Sequence, residues 1–146
     1  MGYTLQAFVG MTEKLEGGLP AKAKLVALRQ GWSLVPITSE VCEFHDIPFC
    51  PLTDGGDDIS IINSLAEKLH GKSAYLEAEF FGGDGTQAAI VWEDGRMVFG
   101  PIVSHNAINE ALRRLGVLND IGHDEFEALE LNRHRDTDDW VKAEIT

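Results

Sequence analysis

Hydrophobic and polar positions change period several times along the chain, and each change marks an element. YTLQAFV, from Tyr3 to Val9, carries aromatic and branched residues with partial alternation and predicts a strand. Gly17, Gly18 and Pro20 break regular structure in EGGLPAK. Leu25–Leu28 and Trp32–Val35 read as two strands turned at Gln30 and Gly31, with Pro36 ending the second. Thr38 or Ser39 is placed to cap a short helix running through Phe44. His45 to Asp58, with two prolines and TDGGDD, predicts an irregular loop open to motion. Ile62, Leu65, Ala66 and Leu69 fall on one helical face after an acidic cap at Asp57 or Asp58, and Gly71 stops that helix.

Three short strands follow, at Ala74–Phe81, Thr86–Trp92 and Arg96–Phe99, the last extendable to Val103. Their turns are GGDG and EDG, and Asp94-Gly95 is a favoured hairpin pair. Pro101 puts the third strand at a sheet edge or past its end. Ile108, Ala111, Leu112 and Leu115 form the apolar face of a helix opened near Ser104 or His105 and closed by Gly116. Shorter helices are expected over Asp124–Leu129 and after Asp136, the last carrying Trp140. The hairpins leave no room for parallel crossovers. The expected fold is therefore α+β: an antiparallel or mixed sheet with helices packed mainly on one face.

At 146 residues one domain and one core suffice. Charge changes the picture more than size. The formal net charge is −12, and residues 119–146 hold nine acids against three bases, so this acidic C-terminal segment carries half of it. Such a chain repels phosphate backbones and attracts basic proteins, which argues against a nucleic-acid partner. No apolar run approaches the roughly 18 residues of a spanning helix, and the N-terminus lacks a secretory pattern. The expectation is a cytoplasmic protein without a membrane anchor.

GGDG is not a phosphate cradle: it lies between strands, not before a helix, and no Gly-Lys-Ser/Thr follows it. Glu77 and Glu79 share one side of a strand, opposite Leu76 and Ala78. If the leucine side faces the core, the glutamates face water or a partner. Together with Asp84, Asp138, Asp139 and Trp140 they are the candidate protein-binding residues. For Trp140, docking onto the core is the alternative to exposure among carboxylates. Cys42, His45 and Cys50 are ligand types at a spacing that matches no zinc signature, and His105, His123 and His134 complete the metal candidates. No residue is assigned a catalytic role, and no cofactor is expected.

YLEAEFFGGDGTQAAIVWEDG and GHDEFEALELNRHRDTDDW, with TLQAFVG and AINEALRRLGV, resemble an uncharacterised family of small actinobacterial cytosolic proteins. The resemblance implies a bacterial cytoplasmic protein and brings no activity, cofactor or catalytic residue. In size, acidity and expected architecture the chain is also similar to toxin-immunity proteins, an analogy of class that carries no function by itself. The leading expectation is a non-enzymatic module that binds a basic protein partner and occludes it sterically and electrostatically, in immunity or antitoxin fashion. The alternatives are a small hydrolase, metal-dependent or metal-free, using Glu77, Glu79, His105, His123 and His134, and a self-associating structural protein forming a homo-oligomer.

Overall fold

The computed structural model of the chain describes residues 2–56, 58–81, 84–119 and 122–145. Its frame is a six-stranded sheet in the order β2-β3-β1-β4-β5-β6, in which every neighbouring pair is antiparallel. The strands are β1 (Tyr3–Met11), β2 (Val26–Ala27), β3 (Trp32–Pro36), β4 (Lys72–Phe81), β5 (Asp84–Glu93) and β6 (Arg96–Ser104). The helices are α1 (Thr12–Leu15), α2 (Ser39–His45), α3 (Ser60–Ala66), α4 (Ala107–Leu115), α5 (Glu125–Ala128) and α6 (Thr137–Ile145).

Local chemistry accounts for most boundaries. Gln30 and Gly31 turn β2 into β3 with φ of 61° and 82°, and Asp94 and Gly95 turn β5 into β6 with φ of 51° and 82°. Both are the left-handed pairs that match the twist of a tight hairpin. Phe81 pairs with Asp84, so GGDG belongs to the β4–β5 hairpin, although Gly82 and Gly83 lie outside the described residues. Thr38 caps α2 by accepting from the amide of Val41 (3.3 Å), and Gly116 ends α4 at φ 103°. Asp124 and Glu127 form a reciprocal capping box on α5. For α3 the capping residue is Ile59; Asp58 instead accepts from both the amide and the hydroxyl of Ser60 (3.1 and 2.7 Å). Pro101 lies in the edge strand β6.

The sheet separates two apolar clusters by strand parity. Leu5, Ala7, Val9, Leu34, Leu76 and Val91 face α4 and Trp140 of α6. The helices make their most extensive contacts with strands on this face, α4 above all. Phe8, Val35, Tyr75, Ile90 and Trp92 look the other way, under Val41 of α2, Ile62 and Leu65 of α3, and Ile47 and Leu52 of the intervening segment. Trp92 donates its indole N–H to the Asn63 side chain (2.9 Å), which ties α3 to this second layer.

The segment between α2 and α3 is irregular, as its prolines and glycines require. It is nonetheless packed: Ile47, Cys50 and Leu52 are buried. Among the described residues, no helix is long and apolar enough to cross a membrane.

Candidate functional site

Glu77 does not face water. Its side chain is 0 % exposed, beneath the segment that follows α2. The apolar side of β4 was expected to be the only buried one, but Tyr75 and Glu77 sit on a second buried face. Glu77 accepts from the amides of Leu52 (3.2 Å) and Thr53 (2.9 Å) and from the Tyr75 hydroxyl. Next to it in register, Gln6 of β1 donates to Tyr75 Oη and to the carbonyl of Pro48, each at 3.0 Å. The Gln6 carbonyl oxygen accepts from the Cys50 amide (3.3 Å) and the Cys42 thiol (3.8 Å). Glu79, half-buried at the margin, accepts from the Thr53 hydroxyl (2.9 Å).

Burial raises the pKa of Glu77 above the usual carboxylate range; the hydrogen bonds from Tyr75, Thr53 and Leu52 oppose this without cancelling it. Glu79 shifts the same way, through burial and through the neighbouring Asp54 and Glu77 carboxyls. Burial also raises Tyr75 far above its ordinary value.

Beside this network opens a cleft of about 530 Å³. Ile37, Cys42, Ile47, Pro48 and Phe49 line its apolar part, and Glu43, Asp46, Asp136 and Asp138 add four carboxylates. No Lys or Arg is among the described residues that line it. Phe49 is 55 % exposed, a large aromatic left at the wall of an acidic opening. Asp138 is fixed there because its two oxygens accept from the amide and the hydroxyl of Ser39, both at 2.9 Å. That contact docks the first turn of α6 on the first turn of α2, where a carboxylate also suits the helix dipole.

The expected binding residues therefore scatter. Asp138 lines the cleft, and Asp139, half-buried, follows it in α6. Trp140 is 1 % exposed and packs in the core, with His134 against its edge at 4.7 Å and the Arg133 guanidinium 5.4 Å from its ring centre. It is thus no surface anchor: α6 packs against β1, β2 and β3, and the Trp140 ring joins the apolar cluster on that face. The Asp84 side chain lies outside the described residues.

The metal candidates are not gathered either. The His45 ring meets the carbonyl of Ala21 (2.9 Å), Cys42 turns to Gln6, and Cys50 donates to the carbonyl of Leu5 (3.8 Å). Burial pushes the Cys42 thiol up to about 11, with help from Asp138, and raises Cys50 further, so both are protonated at neutral pH. His105 is exposed, and His123 borders a shallow depression with Arg29, Glu127 and Glu130. Among the described residues, no group of three His, Cys, Asp or Glu side chains is placed to hold a metal ion. Comparison with protein-family models, with curated proteins and with solved structures gave no match.

Sequence reasoning missed Glu43, Asp46, Phe49 and Asp136. The one signal the sequence offered was at Phe49 alone, an aromatic between two prolines in a stretch with no helical or strand period.

Proposed function

We propose that the protein is a non-enzymatic, cytoplasmic binding module that takes a basic segment of a protein partner at the cleft between α2 and α6. The carrying observation is the cleft itself, with four carboxylates, an apolar floor and an exposed Phe49. A lysine or arginine fits both parts: its stem lies along Ile37, Ile47 and Pro48, and its head reaches the carboxylates. Arginine gains further by stacking on Phe49. The net charge of −12 steers such a partner inward and repels acidic ones. A bound partner would have its basic surface covered, which is occlusion of the immunity or antitoxin kind. For the metal-dependent form of the hydrolase alternative, no group of three His, Cys, Asp or Glu side chains among the described residues is placed to hold a metal ion.

The test is an NMR titration of the labelled protein with a peptide of alternating arginine and glycine. Shifts are expected to concentrate at Ile47, Phe49 and Thr137. Replacing Glu43 and Asp46 together by lysine should weaken binding by about tenfold or more. Shifts spread evenly over the acidic surface, or binding unchanged in that variant, would overturn the cleft as the docking site.

A further inference from the structure

The sheet ends in two unlike edges. β2 is two residues long and offers almost no backbone to pair with. β6 runs for nine residues, and among the described residues its backbone bonds to no segment other than β5. It holds five large apolar residues, Met97, Val98, Phe99, Ile102 and Val103, and none of them is buried. Val98 and Val103 are 49 % and 51 % exposed, whereas Ala88 to Trp92 of the neighbouring β5 are all buried. Long edge strands are commonly blunted by charge, and β6 carries a single one, Arg96 at its start.

The edge is interrupted only in its middle. Register shifts between Ala89 and Trp92 bulge the β5–β6 pairing, and Pro101 has no amide to offer. Two pairable stretches remain, Arg96–Phe99 and Ile102–Ser104. A second copy of β6, antiparallel and related by a two-fold axis at Gly100, sets the first stretch of each copy against the second stretch of the other. Met97 then opposes Val103, and Val98 opposes Ile102. The faces agree: Met97 lies opposite Trp92 and Val103 opposite Ala88, so both point to the Phe8 and Tyr75 side of the sheet. Charge agrees as well. A chain of net charge −12 repels its own copies over most of its surface, yet no acid stands from Gly95 to Asn109. The same register brings Glu93 and Asp94, at the β5–β6 turn, beside His105 of the other copy, acid against imidazole rather than acid against acid.

We propose that β6 is a homodimer interface, at which two copies pair edge to edge and join their sheets into one antiparallel sheet. The contact is isologous and closes on itself, and the outer edges left to the dimer are the two short β2 strands, so assembly stops at two copies. One strand pair is a small seam beside the roughly 1,200–2,000 Å² of a stable complex, so the dimer is reversible and dissociates at about micromolar concentration or above. No β6 residue lines the cleft between α2 and α6, so this interface stands or falls separately from the binding site proposed above.

Sedimentation equilibrium of the full chain from about 1 to about 500 µM is the measurement, and the mass should rise from one copy to two and no further. Val98→Lys/Val103→Lys alters two half-exposed residues and should raise the dimer Kd by about tenfold or more, with thermal unfolding of the dilute protein unchanged. His105→Glu, at an exposed position, sets acid against acid at both ends of the seam and should raise Kd by about threefold or more. Hydrogen exchange of the unaltered protein needs no variant: on concentration, amides within Met97–Phe99 or Ile102–Ser104 should gain protection, and those of Phe49 and Leu118 should not. A chain that stays monomeric throughout, growth past two copies, a dimer undiminished in the lysine variant or in His105→Glu, or protection gained at Phe49 or Leu118 instead of along β6 would each overturn the proposal.

Discussion

Gln6 is one buried amide with four hydrogen-bond partners. It is 1 % exposed, gives its two N–H groups to Pro48 and Tyr75, and takes the Cys50 amide and the Cys42 thiol on its oxygen. Leucine at this position would match its size but leave the Cys50 amide and the Pro48 carbonyl without partners. Each stranded buried group costs about 1–3 kcal/mol. Gln6→Leu should therefore lower unfolding free energy by roughly 2–4 kcal/mol in a urea titration. A loss under about 1 kcal/mol would mean that the segment re-pairs its own backbone when the amide is removed. In the sequence, Gln6 is one polar residue within the partly alternating strand Tyr3–Val9. Only its contacts with partners 36 to 69 positions along the chain reveal it as interior.

Elements whose form depends on neighbouring residues were legible. The Gln30-Gly31 and Asp94-Gly95 turns, the edge position of Pro101 and the stop at Gly116 each follow from one residue's backbone preference. The burial of Glu77 and the cleft were not legible, because long-range packing creates them: Ser39 meets Asp138, 99 positions away. One local clue existed. The run AAIVW in β5 is apolar at both parities, the signature of a strand covered on both faces, and β4 beside it must share both layers. The glycine pair before β2 shows the same split between local and distant causes. Both glycines mark a break, yet only Gly18 is pressed against another element, where a methyl group would collide with the carbonyl oxygen of Lys68 just after α3. Gly17 has open space around the same position. Gly18→Ala should cost about 1–3 kcal/mol by forcing that contact apart. Gly17→Ala should be neutral or stabilising by a few tenths of a kcal/mol. Thermal unfolding of the two variants side by side checks this; equal effects would refute the packing argument.

Across the whole molecule two sources of pH dependence act in one direction and can be separated. The first is surface repulsion, since a chain of net charge −12 loses negative charge as pH falls. The second lies in the interior. Glu77 and Glu79 have folded-state pKa values raised by burial. A raised carboxyl contributes stability that is complete below its unfolded value and is lost as pH climbs through the folded one. Asp58, lowered by its bonds to Ser60, acts with the opposite sign and only at more acid pH, and full exposure makes it a minor influence. The urea midpoint should therefore fall as pH climbs from the ordinary carboxylate range upward. Raising salt to about 1 M shrinks the screening length to roughly 3 Å and removes most of the surface part. Glu77, fully buried, is screened far less, so part of the slope should persist in high salt and vanish in the Glu77→Gln/Glu79→Gln variant. Were salt alone to flatten the profile of the unaltered protein, the dependence would belong to the acidic surface, and Glu77 and Glu79 would be ionised or protonated equally in both states.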